Sequence, residues 1–228
     1  MTRSNSDKNF ILGIDVGTSG CKVLLADRAG AVRASAVETY PLAQPRPGWT
    51  EQEPRSWWEA CCAACRRVLD TGVCGGADIA AVGLTGQMHS LVALDEAMEP
   101  IRPAILWNDQ RTTEQCREIQ DLAGGLDGLL GYTNNMMLTG YTGGKLLWLR
   151  EHEPKNFRRL QAVLMPKDYL RYRLTGVLMT DVSDASGTGL FDVRQRRWAA
   201  ELLKKLALPE EIFPPVCESP DITGTVTE

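Results

Sequence analysis

Three short apolar runs follow one another within the first forty residues, with no helix-length segment between them. They cover residues 10–15, 21–27 and 31–40, the last diluted by polar residues among Val32, Val37, Thr39 and Tyr40. The first ends on an acid, Asp15, and Gly17-Thr18-Ser19-Gly20 leads straight into the second. Tight turns of this kind join antiparallel neighbours, whereas parallel strands need a crossover of a dozen or more residues. The chain is therefore expected to open as three antiparallel strands and not as a βαβ unit.

Residues 41–54 are proline-rich and read as a loop. A helix is expected next: Trp57, Trp58, Cys61, Cys62, Cys65, Val68 and Leu69 share one face, with Arg66, Arg67 and Asp70 largely opposite. Strands are expected over 79–85 and 91–94, and helices over 112–123, 144–151, 168–174 and 199–206. Strands, a helix and a strand with polar groups at its end describe a layered α/β domain. Residues 214–228 carry only a weak Ile222/Val226 signal.

Composition narrows the function. Hydrophobic residues make up 43% of 228, enough for a sizeable core, and 25 Lys and Arg against 29 Asp and Glu leave a net charge of -4. That balance argues against a general nucleic-acid binder. No apolar run reaches the length of a membrane span. Residues 1–9 are polar, read as a disordered lead-in, and lack the apolar segment of a secretory signal, so a cytoplasmic location is expected. Seven cysteines at irregular spacing fit a reducing compartment. The Cys62–Cys65 pair lies within the helical pattern without a second pair at zinc-site spacing, so it reads as small apolar residues on a helix.

Three segments carry chemistry. In Gly13-Ile14-Asp15-Val16-Gly17-Thr18-Ser19-Gly20-Cys21-Lys22, an acid closes a buried strand and a Gly/Thr/Ser turn opens the next. Gly17, Thr18, Ser19 and Lys22 could offer backbone donors, hydroxyls and positive charge to phosphate, and Asp15 could hold Mg²⁺ directly or through water. The same turn also reads as an ordinary hairpin with a polar tip. It is neither a Walker A loop nor a Rossmann turn. In Gly83-Leu84-Thr85-Gly86-Gln87-Met88-His89-Ser90, Gln87 and His89 can hydrogen-bond hydroxyls beside the apolar Met88, although a lone His is also a common structural residue. In Leu106-Trp107-Asn108-Asp109-Gln110-Arg111, Trp107 could cover the C–H face of a sugar while Asn108, Asp109 and Arg111 read hydroxyls. The alternative is a core Trp followed by an Asp-capped helix start.

These blocks occur in the order and spacing of the FGGY carbohydrate-kinase family, and the chain resembles its N-terminal domain. The resemblance continues through Thr139-Gly140-Tyr141-Thr142-Gly143-Gly144-Lys145-Leu146-Leu147-Trp148, through Leu164-Met165-Pro166-Lys167-Asp168-Tyr169-Leu170, and through Thr180-Asp181-Val182-Ser183-Asp184-Ala185-Ser186-Gly187-Thr188. Within the family, the Gln-Met-His, Leu-Trp-Asn-Asp-x-Arg and Ser-Asp-Ala-Ser-Gly-Thr blocks look most like the xylulokinase branch. Two departures fall near the implied pocket: Ser90 stands for a usual glycine, and Gly143-Gly144 for a frequent Ala-Pro.

The resemblance implies an actin-like (ribonuclease H-like) α/β fold, a mixed sheet with three antiparallel N-terminal strands flanked by helices. It implies an enzyme that uses ATP and Mg²⁺ to phosphorylate a ketopentose, D-xylulose to D-xylulose 5-phosphate. Asp15, Gln87, Met88, His89, Trp107, Asn108, Asp109 and Arg111 would serve the sugar side, and Gly17, Thr18, Ser19 and Lys22 the phosphates. Residues 10–228 would form one sugar-binding domain. The catalytic general base, an Asp in a Gly-Gly-Asp motif, and the nucleotide-binding domain are expected beyond Glu228, so the isolated chain is expected to be inactive. Sugar and ATP are the implied partners, with no nucleic acid or membrane and with room for a homodimer of the full-length protein. The alternatives are a kinase for another ketose or polyol, and a non-catalytic actin-like sugar-responsive regulator.

Overall fold

The computed structural model describes residues 8–227. The lead-in expected over 1–9 therefore lies mostly outside the described residues. At its end, Asn9 N donates to Asp78 O at 3.1 Å and Arg28 Nε donates to Lys8 O at 2.9 Å, so residues 8 and 9 are tied to the fold.

In chain order the first elements are β1 (Phe10–Val16), β2 (Gly20–Asp27), β3 (Val32–Thr39), β4 (Glu51–Gln52), α1 (Pro54–Leu69), β5 (Ile79–Gly86), β6 (Val92–Leu94) and β7 (Ala104–Ile105). Then come α2 (Thr113–Ala123), α3 (Gly125–Thr133), α4 (Thr142–His152), α5 (Pro154–Phe157), β8 (Ala162–Leu164), α6 (Pro166–Thr175) and β9 (Thr180–Asp181). The last are α7 (Val182–Ser186), β10 (Phe191–Asp192), β11 (Arg197–Trp198), α8 (Ala200–Lys205) and β12 (Val216–Cys217). The chain divides into two compact units: residues up to 42 with 55–87, and residues 43–54 with 88 onward.

The first unit is built on a four-stranded mixed sheet in the order β3-β2-β1-β5. β1 pairs antiparallel with β2 and β2 with β3, as the short connections require, while β5 joins β1 in parallel after the α1 crossover. The β2–β3 turn is fixed by Asp27, whose Oδ1 accepts from Ala29 N at 2.9 Å and Ala31 N at 3.0 Å, while Gly30 takes φ +83°. Period-2 alternation buries Leu12, Ile14 and Val16 of β1 and Cys21, Val23 and Leu25 of β2 on one face. α1 covers that face: Trp57, Cys61, Ala64 and Val68 are buried, the Cys61 thiol lies within hydrogen-bonding reach of the Cys21 thiol, and Arg67 reaches Glu38 at 2.6 Å. The buried stripe is narrower than the sequence suggests, since Trp58, Cys62, Cys65 and Leu69 are only half-buried. All seven cysteines are free thiols.

The second unit is mainly helical, with the short strand pairs β4–β7, β6–β8, β10–β11 and β12–β9. α4 lies at its centre, buried on every side from Thr142 to Leu149. Burying Leu146, Leu147 and Leu149 contributes about 1.5–3 kcal/mol each. The Gly143-Gly144 pair has a packing reason. A Cβ on Gly143 would stand 2.8 Å from Met137 Cε, and one on Gly144 3.0 Å from Cys116 Sγ. No helix among the described residues is long and apolar enough to cross a membrane.

Candidate functional site

Asp15 sits at the exposed end of β1, and the register sets it opposite Lys22 on β2 and Thr85 on β5. Directly paired residues share a face, so a carboxylate, an ammonium and a hydroxyl stand side by side on the face opposite α1. Val16 O accepts from Gln87 N at 2.8 Å, and Thr18 Oγ1 donates to Gln87 Oε1 at 3.2 Å. The turn at residues 17–19 is thereby fastened to the end of β5. Tyr40 OH donates to Gly17 O, and burial pushes its phenol well above the ordinary range. Gly20 is required for a reason the sequence does not show. A Cβ there would lie 2.7 Å from Glu38 O on the neighbouring strand. Exposed Asp15 with the Thr18 and Ser19 hydroxyls offers hard oxygen donors, which suits a Mg²⁺ held largely by water and phosphate. Among the described residues no group of three or more His, Cys, Asp or Glu forms a metal cage.

The second unit contains a cavity of about 550 Å³ whose walls include His89, Trp107, Thr139, Gly140 and Tyr141. Trp107 is 45% exposed and offers its ring to that space. His89 occupies the left-handed region at φ 62°. Its imidazole stacks on Tyr141, centroids 4.6 Å apart, and its Nδ1 lies 2.7 Å from Gly187 O. A carbonyl can only accept, so Nδ1 carries the proton and Nε2 of the neutral ring is left as an acceptor. Burial lowers the imidazole's pKa. The bond to Gly187 O opposes that shift, and the positive charge of Lys145 adds to it. The ring fits because residue 187 is glycine: a Cβ there would stand 2.6 Å from Nδ1. Ser90, buried, bonds back to Met88 through N at 2.7 Å and Oγ at 3.3 Å and closes the tight turn around His89. Met88 itself is 37% exposed.

Asp109 and Arg111 stand elsewhere than the sequence reading placed them. Asp109 is completely buried, with Oδ2 accepting from Thr50 N at 2.7 Å and Oδ1 from Arg111 N at 2.9 Å. Arg111 closes a two-pronged pair on the same carboxylate at 2.9 and 2.7 Å and reaches Glu51 at 2.7 Å. Its guanidinium lies 3.7 Å from the Trp49 ring centroid and 4.7 Å from that of Trp148. Neither residue lines the cavity. They brace the segment that presents Trp107. Asn108 Oδ1 accepts from Thr50 Oγ1 at 2.7 Å, beside a second, open hollow formed by residues 44–50. On the rim of the first cavity, Thr139 Oγ1 donates to Gln110 Oε1 at 2.7 Å. Tyr141, Gly140 and Gly187 were quoted in the sequence only as parts of blocks. Their shared position beside His89 had no local signal.

Residues 10–228 match the N-terminal domain of the FGGY family of carbohydrate kinases. The chain is 39% identical to the xylulose kinase of Bacillus subtilis (strain 168) over 217 residues, which cover 95% of this chain and 43% of that protein. It is similar in structure to a xyloylose kinase from Brucella ovis (TM-score 0.91, 38% identity, 96% of this chain and 45% of that one). It is also similar to a gluconate kinase from Lactobacillus acidophilus (TM-score 0.87, 30% identity, 96% and 44%). The chain thus spans somewhat under half the length of these relatives. The mixed sheet with its antiparallel opening strands is that of the actin-like ATPase fold which these sugar kinases share. On the match along nearly its whole length, the chain belongs to the FGGY family of carbohydrate kinases, of which it represents the N-terminal domain.

Proposed function

We propose that this chain forms the sugar-binding part of an ATP-dependent kinase that phosphorylates a ketopentose, D-xylulose to D-xylulose 5-phosphate. The observation that carries the reading is the His89 imidazole, held neutral with Nε2 as an acceptor in a cavity walled by Trp107. A sugar needs both features: an apolar ring against its C–H face and a fixed acceptor for a hydroxyl proton. The names of the relatives support xylulose as that sugar.

In this reading Trp107 and His89 orient the sugar, Met88 offers an apolar side chain next to His89 in the chain, and Asn108 and Gln87 are further candidates for polar contacts. Ser19 donates to phosphate oxygens, Thr18 does so once its hydroxyl turns from Gln87 Oε1, and Lys22 opposes the phosphate charge. Asp15 and its neighbouring hydroxyls would hold Mg²⁺, which, when bound, neutralises charge on the transferred phosphoryl group. Such a transfer depends on positioning and charge far more than on covalent help. The hydroxyl proton would go to the Asp of the family's Gly-Gly-Asp motif. The same reading places the protein in the cytoplasm and allows a homodimer of the complete protein.

One observation favours a neighbouring substrate class: a gluconate kinase is among the structural relatives. Calorimetric titration of the chain with D-xylulose, D-ribulose, D-gluconate and glycerol separates these. D-xylulose is expected to bind tightest, and Trp107→Ala to weaken it at least tenfold. Tighter binding of gluconate or glycerol would reassign the substrate, and binding of none would remove the sugar-site reading.

A further inference from the structure

Lys145 is among the largest fully buried side chains of the protein. An ammonium in a core is costly unless specific partners hold it. Here those partners are not carboxylates. Nζ donates to His89 O at 2.7 Å and to Gly140 O at 2.5 Å, two main-chain carbonyls from separate walls of the sugar cavity. Thr142 Oγ1, one turn earlier on α4, donates to the same His89 carbonyl at 3.1 Å. Each wall needs such a tether. His89 holds a left-handed backbone that a non-glycine residue adopts only under constraint. Gly140 packs so closely on the next segment that a Cβ would lie 2.5 Å from Trp107 O.

We propose that Lys145 is a positioning residue of the sugar pocket, its buried ammonium tying the His89 turn to the Gly140 loop so that His89, Tyr141 and Trp107 keep the spacing a sugar requires. This rests on the sugar-site reading above. The charge also acts on the imidazole from behind and disfavours its protonation, which leaves Nε2 an acceptor. The groups facing the ammonium are His89 on its turn, Asp109 and Arg111 on the loop after β7, and Cys116 on α2. Asp109 and Cys116 favour the charge and Arg111 opposes it.

The test uses Lys145→Met, which keeps length and loses charge, and Thr142→Val, which removes only the second bond to His89 O. D-Xylulose affinity is read by calorimetry and the His89 ring by NMR titration, with His152 as the internal reference. Lys145→Met is expected to weaken sugar binding by tenfold or more and to raise the His89 titration midpoint while His152 stays in place. Thr142→Val is expected to weaken binding several-fold with the fold intact, and it decides the matter should Lys145→Met not fold. Unchanged sugar affinity in a folded Lys145→Met, or an unchanged His89 midpoint in it, would overturn the positioning role. With Lys145→Met unfolded, unchanged affinity in Thr142→Val would do the same. If the unsubstituted chain binds no sugar, the functional reading fails. The His89 midpoint in Lys145→Met still tests the tether, and a shift there supports it on its own.

Discussion

Gly187→Ala tests the site with little collateral damage. Gly187 has φ -72° and ψ -3°, a conformation alanine adopts without strain, so the backbone gives no reason for glycine. The reason lies in the side chain opposite. A Cβ would stand 2.6 Å from His89 Nδ1 and 2.7 Å from Cε1, against ordinary contacts of about 3.5–4 Å. The ring must retreat by roughly 1 Å. It is already stacked on Tyr141 at 4.6 Å and bonded to Gly187 O at 2.7 Å, so the retreat forfeits both contacts. The hydrogen bond lost to Gly187 O costs about 1 kcal/mol of stability, and the proposed bond from Nε2 to the sugar, worth about as much, is what binding loses. About 1 kcal/mol corresponds to roughly fivefold in Kd. Calorimetry with D-xylulose reads the affinity, and a urea midpoint shows whether the fold has moved. In a His89→Ala background, Gly187→Ala should cost little more, because both substitutions act on one interaction. An alanine variant that binds sugar as well as the parent would refute the chain of reasoning from Gly187 through His89 to the ligand.

Two further outcomes follow from buried charge. Arg111→Met leaves the Asp109 carboxylate buried without its guanidinium partner and removes the cation from beside the Trp49 and Trp148 rings. The expected loss is about 3–5 kcal/mol in urea denaturation, and a loss below about 1 kcal/mol would show the network to be dispensable. Lys145 has its pKa lowered by burial to about 7, from 10.5. Between these values the unfolded chain holds a proton that the folded chain has released, so stability rises with pH across that window and the gain is lost as pH falls through about 7. The slope approaches about 1.4 kcal/mol per pH unit and should be missing in Lys145→Met. Equal slopes in both proteins, from urea midpoints at several pH values, would contradict a depressed Lys145.

The opening of the fold was legible because its signals are local. Alternating apolar residues in β1 and β2 and the turns at residues 17–19 and 28–31 suffice to set an antiparallel register. α3 was not legible: Gly125, Gly128 and Gly131 make a poor helix on propensity alone, and packing of buried Leu129 outweighs it. The burial of Asp109 and Arg111 was not legible for a related reason. Next to Trp107 in sequence they look like hydroxyl-reading groups, but an acid two residues before an arginine can turn the pair inward, and only burial distinguishes the cases. Lys145 carried one faint signal, a lone cation within the apolar stretch 143–149 of α4. Gly187 carried none, since the ring it admits belongs to a residue 98 positions earlier.

The two candidate sites differ in hydrogen-bond polarity, and the difference matches the two halves of a phosphoryl transfer. In the proposed reading the turn after β1 would donate, since phosphate oxygens only accept, and it offers hydroxyls with the Lys22 ammonium close by. In the same reading a sugar hydroxyl has a proton to give, and a fixed acceptor orients it. A neutral imidazole with one nitrogen already committed provides that acceptor. Gly187 O fixes the tautomer, while burial and the Lys145 charge disfavour a second proton. A buried lysine beneath a sugar pocket, wasteful as a stabilising element, is consistent with that electrostatic task.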